Sequence, residues 1–278
     1  MEKGKGKAEL KDILIKGMIG AGVVIIAALG IQAVTGEKEE KLPVQISQVS
    51  SAQDSPMGMR KFMNYNGHRY AFLENGAEYT ITQQEPQEVL GTLEYDIAAD
   101  PKANGSVDFA STFALGGEVK TIELYDPAFR VAVELDGKQY ICENVDQLGD
   151  VPLDAKAYFE TADFENNVEE IEICDHMGSK ELKTISGEDA KKMMELISQS
   201  EETKLTNDQY QEIGQAQSGG ESFQLHFVLK DKTEYKLYVI PSLEISMIGD
   251  NRCKLPKEFA EQYGELFAGL PREALPMH

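Results

Sequence analysis

Arg60, Lys61, His68 and Arg69 interleave with Phe62, Tyr65, Tyr70 and Phe72. Cationic and aromatic side chains mixed over so short a stretch suit an anionic or sugar ligand, through charge attraction and ring contact. The candidate ligand surface is therefore Arg60, Lys61, Tyr65, His68, Arg69 and Tyr70. The competing and stronger reading is a first β-hairpin, with its aromatic residues in a core and its basic ones in water. Cys174-Asp175-His176 places a thiolate, a carboxylate and an imidazole in a row, and all three are metal donors. Adjacent residues at a strand end point in different directions, so an ordinary strand exit is expected and no metal site is assigned. Asp100 to Gly105 faintly resembles a calcium loop, but Lys102 stands at its third position and Ser111 at its twelfth, where acidic or amide ligands are needed.

No Gly-x-Ser-x-Gly elbow, His-Glu-x-x-His helix or Walker A loop occurs. The four histidines leave few ways to build a triad, and His278 is the last residue. His226 lies on the strand face opposite Phe223 and Leu225 and is expected at a surface or second face. Acidic pairs such as Glu169-Glu170 and Glu201-Glu202 read as solvated surface in a chain of net charge −21. A glycosidase needs two carboxylates set across a cleft, which spacing alone does not reveal. The expectation is therefore no catalytic residue, no cofactor and no metal.

The segment that must position everything else is Gly17 to Gly36. It carries no charged residue over about 20 positions, enough α-helix to cross about 30 Å of hydrocarbon. A single membrane span is expected at residues 17–36. Lys3, Lys5, Lys7, Lys11 and Lys16 precede it, against Lys38 and Lys41 just after it. The excess puts residues 1–16 in the cytoplasm and the rest outside the cell membrane. A cleaved signal peptide is the first alternative, weakened by the long apolar core and by the absence of an A-x-A site in Ile31 to Gly36. A buried core helix is the second, since Val23 to Leu29 is apolar on every face. Gly17, Gly20, Ala21 and Gly22 would permit close contact with another membrane helix.

Strong acidity argues against nucleic acid as a partner. A membrane or cell-surface protein partner fits better. Cys142, Cys174 and Cys253 lie far apart, and their odd number leaves at least one unpaired. Three small buried side chains are the expected state.

Residues 37–60 read as a stalk, from the charge run Glu37 to Lys41 and the Ser- and Gln-rich stretch Gln45 to Pro56. Residues 61–147 read as an all-β module, a small barrel or sandwich. Asn66-Gly67, Asn75-Gly76 and Asp136-Gly137 are hairpin pairs, because a type I′ turn needs residues that tolerate positive φ. Phe129, Val131, Val133 and Leu135 alternate with Arg130, Ala132 and Glu134, and Lys138 to Glu143 returns with Tyr140 and Cys142 on one face. Val89 to Ile97 and Glu118 to Tyr125 are further strands, and Ala98 to Ser106 a loop.

Residues 148–278 read as an α+β module with an antiparallel sheet. Val168 to Cys174 alternates, and Ser186-Gly187-Glu188-Asp189 resembles a capping box before a helix through Ile197. Residues 198–220 are expected to be a long loop. Phe223 to Leu229 and Tyr235 to Val239 are strands about a turn at Asp231-Lys232. Leu243 to Ile248 adds another, and Pro256 opens a last helix.

Tyr65-Asn66-Gly67-His68-Arg69-Tyr70, Glu118-Val119, Tyr125 to Val133 and Asp136-Gly137-Lys138 together resemble a small β module of uncharacterised, membrane-anchored extracytoplasmic proteins of Gram-positive bacteria. The likeness spans roughly residues 62–145. It implies location and a β fold, and it implies no activity. The resulting expectation is a non-enzymatic binding, sensing or interaction ectodomain. The alternatives are a surface hydrolase acting on wall glycan or peptide, and a structural component of an envelope complex.

Overall fold

The computed structural model describes residues 44–51, 60–149 and 151–272. The expected cytoplasmic tail, membrane span and residues 37–43 lie outside the described residues. Among the described residues no helix is long and apolar enough to cross a membrane. The described part of the chain is mostly β, with a curled sheet and a second, antiparallel sheet that carries helices.

Ten strands form the first sheet among the described residues. They are β1 (Val44–Ser50), β2 (Phe62–Tyr65), β3 (His68–Phe72), β4 (Glu78–Gln83), β5 (Val89–Thr92), β6 (Tyr95–Asp96), β7 (Ala110–Ser111), β8 (Glu118–Lys120), β9 (Arg130–Leu135) and β10 (Lys138–Gln147). A one-turn helix, α1 (Pro101–Asn104), interrupts the loop after β6. The main path runs β5-β8-β9-β10-β3-β2-β7-β6, with β4 pairing to β10 and β1 to β4. β10 is long enough to pair with β9 over Lys138 to Glu143 and with β3 over Cys142 to Gln147, and it carries a bulge between Asn144 and Asp146. A bulge bends its strand, and here the sheet curls around Met63, Tyr70, Phe72, Leu93, Val119, Val131, Val133 and Cys142.

The second sheet follows the order β12-β11-β14-β15-β16-β17-β13. Its elements are α2 (Ala155–Thr161), α3 (Phe164–Asn167), β11 (Val168–Cys174), β12 (Glu181–Ser186), α4 (Gly187–Ser198), β13 (Glu201–Glu202), α5 (Asn207–Ser218), β14 (Phe223–Leu229), β15 (Glu234–Ile240), β16 (Ile245–Ile248), β17 (Asn251–Lys254) and α6 (Lys257–Ala268). Ile171, Ile173, Leu225, Phe227, Tyr235 and Leu237 face Phe159, Phe164, Met193, Ile197 and Phe259 of the helices. The alternate positions Glu172, Cys174, Gln224, His226, Glu234 and Lys236 share the opposite face, as period-two geometry requires.

The same apolar cluster takes in Val44, Ile46, Tyr79, Phe129, Ala132 and Ile141 of the first sheet. Phe129 sits edge-on to Phe164, with ring centroids 5.4 Å apart, and its ring is 6.1 Å from Tyr235. Fully burying aromatic rings of this size stabilises by roughly 1.5–3 kcal/mol each. The two sheets therefore share a core across the boundary expected near residue 148.

Several local expectations are corrected. Val44–Ser50, expected within the stalk, is a strand, because Val44 and Ile46 are buried against β4. Asn75-Gly76 closes no hairpin: a 3-10 turn, Leu73–Asn75, precedes it, and β3 and β4 both pair with β10 instead. Asn66-Gly67 and Asp136-Gly137 do join paired strands. Ser186 is the N-cap of α4, but its side chain makes no capping bond. The expected loop at 198–220 holds β13 and α5. A capping box starts α5, with Thr206 and Gln209 bonding each other's backbone. The Thr206-x-x-Gln209 signal is local and legible in the sequence, while the helix it starts is polar because it buries little besides Ala216.

Candidate functional site

The β14–β15 hairpin turn reaches into the first sheet. The Tyr125 hydroxyl donates to Asp231, and Asp231 Oδ1 accepts from the Thr233 amide at 2.9 Å and its hydroxyl at 2.7 Å. Arg130, fully enclosed, completes the joint. Its Nε and Nη2 donate to Glu143 Oε2 at 3.0 and 2.6 Å, Nη2 also donates to the Glu234 carbonyl at 2.8 Å, and Nη1 donates to Thr233 Oγ1 at 2.6 Å. Burial alone would lower the guanidinium's pKa, but Glu143, Tyr125 and Asp231 more than reverse this. Burial pushes the Glu143 carboxyl up while Arg130 draws it down.

Beside this joint lies an open cleft of about 700 Å³. Ile46, Arg60, Phe72, Glu74, Tyr79 and Glu143 wall it from the first sheet, and Lys232, Thr233, Glu234 and Lys236 from the second. Charged groups of both signs line it. Lys236 Nζ lies 2.8 Å from Glu74 Oε1 and 3.3 Å from Glu234 Oε2. Burial alone would lower the Lys236 ammonium, but its bonds to Glu74 and Glu234 outweigh that and raise it. Arg60 is paired with Asp250 at the rim.

The same Glu234 oxygen that meets Lys236 also reaches a second cluster. The register of β11 and β14 sets Glu172 opposite His226 and Cys174 opposite Gln224. Cys174 and His226 thus become diagonal neighbours on one face, and Cys174 Sγ lies 3.8 Å from His226 Nδ1. One donor atom from each of Glu172, Cys174 and His226 falls within 4.8 Å of the others. Glu234 Oε2 is 3.3 Å from the same Nδ1. Cys174 and His226 are buried, and Glu172 is half-buried. The hydrogen bond from His226 holds the Glu234 carboxyl down at about 2, against an opposing effect of burial. Burial pushes the Cys174 thiol up to about 11, helped by Glu172 and Glu234. Glu172 is raised by burial and by Glu181 and Glu234.

The imidazole is fixed from its other side. Gln224 Nε2 donates to the His176 carbonyl at 3.0 Å and to the Tyr238 hydroxyl at 2.7 Å, so its Oε1 faces His226 Nε2 at 2.9 Å. An amide oxygen only accepts, so Nε2 of His226 carries a proton. The β11–β12 loop passes over this pair at Gly178, whose φ is +67°. A Cβ there would stand 2.4 Å from Gln224 Oε1 and 3.0 Å from His226 Nε2.

The tripeptide Cys174-Asp175-His176 does diverge, as expected of a strand exit. Asp175 Oδ1 accepts from the Ser179 and Lys180 amides at 2.7 and 3.2 Å, and His176 Nδ1 lies 3.0 Å from Ser222 Oγ. His226, expected at a surface or second face, is on the second face but is buried there. The meeting of Cys174 with His226 had one sequence signal: both lie on the polar sides of alternating strands.

The candidate ligand surface does not converge. Only Arg60 lines the cleft. Lys61 Nζ sits 4.0 Å from the centre of the Phe113 ring, and Arg69 stacks on Phe62 at 4.8 Å. Tyr65 packs on Phe109, with ring centroids 5.5 Å apart. His68 Nδ1 lies 3.2 Å from Asn144 Nδ2. Tyr70 is wholly enclosed, with its hydroxyl donating to the Pro127 carbonyl at 2.8 Å, and so it offers no ligand surface. His68, Tyr70 and Phe72 share one face of β3, and burial along it deepens from half-buried His68 to enclosed Tyr70. The loop around Asp100 folds into α1, and Asn64 Nδ2 donates to the Gly105 carbonyl at 3.0 Å. All three cysteines are buried free thiols. Comparison with protein-family models, with curated proteins and with solved structures finds no match.

Proposed function

We propose that the protein is a single-pass membrane protein with its folded part outside the cell, serving as a non-enzymatic binding ectodomain. In this reading residues 17–36 form the transmembrane helix, and a barrel-like β module and an α+β module follow. The observation that carries the binding reading is the open cleft of about 700 Å³ between the sheets. Its volume falls in the range of small-molecule sites. Its walls hold Arg60, Lys232 and Lys236 beside Glu74, Glu143 and Glu234. A small zwitterion, such as an amino acid or short peptide, exchanges the lysine–glutamate pairs for its own carboxylate and ammonium groups. Glu143 is tied to Arg130 by two bonds to one oxygen, which favours a fixed wall over a proton-transfer group.

Titration calorimetry on the detergent-solubilised full chain, with free amino acids and dipeptides against neutral sugars, tests this reading. Heat from a zwitterion that disappears in Lys236→Met supports it. Equal silence for all of them refutes the ligand class. Placement is tested separately by a C-terminal fluorescent reporter active only in the cytosol, which should stay dark in intact cells.

A further inference from the structure

We propose that Glu172, Cys174 and His226 form a binding site for a borderline-soft divalent cation of the zinc class. This goes beyond the cleft reading and does not depend on it. One thiol sulfur, one imidazole nitrogen and one carboxylate oxygen lie within 4.8 Å of one another. Around a tetrahedral zinc ion, sulfur and nitrogen ligands are about 3.6 Å apart, given the usual bond lengths. The Cys174 Sγ to His226 Nδ1 separation of 3.8 Å is close to that.

The second observation is independent of the donor set. Gln224, anchored by the His176 carbonyl and Tyr238, accepts from Nε2 of His226. Nδ1 is thereby aimed at Cys174 Sγ and flanked by Glu234 Oε2 at 3.3 Å, the oxygen it donates to until a metal ion replaces that proton. A ring nitrogen, a sulfur and a carboxylate oxygen facing one another are held by shared protons, and a metal ion can take the place of those protons. Orientation of a ligating histidine by an acceptor on its far nitrogen is the usual outer support of a metal site. The mixed sulfur, nitrogen and oxygen set suits Zn²⁺, and its stand-in Co²⁺, better than Ca²⁺ or Mg²⁺. Binding displaces the Cys174 thiol proton and the Nδ1 proton of His226, and both leave to solvent. Half-buried Glu172 provides the approach from solvent.

The test is Co²⁺ titration of the chelator-treated, detergent-solubilised full chain, followed by thiolate-to-cobalt absorption in the near ultraviolet. One Co²⁺ per chain is expected, displaced by Zn²⁺ and not by Mg²⁺. Cys174→Ser should abolish the absorption, and Cys142→Ser should retain it. Gln224→Ala should weaken affinity by about 10–100-fold, the usual effect of losing such an outer support. If Cys174→Ser fails to fold, Glu172→Gln at a half-buried position gives the same readout through more than tenfold weaker binding. Absent thiolate–cobalt absorption in the folded wild type, absorption unchanged in Cys174→Ser, or cobalt affinity unchanged in Glu172→Gln would overturn the site and leave a protonated His226 paired with Glu234.

Discussion

Arg130 and Glu143 stand directly opposite one another on neighbouring strands, and the guanidinium Nη2 lies 2.6 Å from the carboxylate. The same guanidinium donates to the Glu234 carbonyl of the second sheet. One buried cation therefore ties both sheets together. Arg130→Met should destabilise the protein by about 3–5 kcal/mol, because Glu143 is left enclosed without its partner. The double variant Arg130→Met/Glu143→Leu should recover part of that loss. Denaturant unfolding of wild type, single and double variants measures this, and an equally unstable double variant would assign the loss to packing alone.

His68 should titrate below its ordinary value of 6.5. Burial is the larger cause, and Asp108 and Asp146 oppose it. The folded state thus favours the neutral ring, which accepts from Asn144 Nδ2. Its stabilising contribution is complete above the unfolded pKa and shrinks as pH falls from there through the lowered folded value. Histidine NMR titration should show a midpoint under 6.5 that vanishes in His68→Gln. A midpoint at or above 6.5 would contradict the assignment. Neutral His68 also removes one cation from the supposed basic patch at physiological pH.

Gly178→Ala should cost about 1–3 kcal/mol from the positive φ alone. The added methyl would also displace Gln224 and His226, which lie within 3.0 Å of the Cβ position. Thermal unfolding should show the loss, and the nitrogen shifts of His226 should report a ring no longer held with its proton on Nε2. Unchanged shifts would show that Gly178 does not keep the Gln224–His226 bond in place.

Gly249 brings the β16–β17 turn against β10. Its φ is +59°, and a Cβ would stand 2.3 Å from the Val145 carbonyl oxygen. That oxygen accepts from the Asp250 amide at 2.8 Å and from Asn251 Nδ2 at 3.3 Å. Gly249→Ala should raise amide exchange at Asp250 and lower the unfolding midpoint together. Protection at Asp250 equal to wild type would show that this approach tolerates a side chain.

Alternation alone revealed which residues of β9, β11, β14 and β15 share a face, because a strand's period of two is a local property. It therefore placed Val131 and Val133 on a core face and set Cys174 and His226 each on the polar side of its strand. It did not reveal that Arg130 is buried, since an arginine on a polar face is ordinarily wet until another sheet covers it. The assigned stalk contained β1 for the same reason: Val44 and Ile46 become core only once β4 lies alongside. Register is a long-range fact, settled by which strands pair. Register set Cys174 beside His226, 52 residues on. Chain chemistry determined the donors, and tertiary pairing decided which of them meet, because hydrogen-bonded ladders join residues that no sequence window contains together.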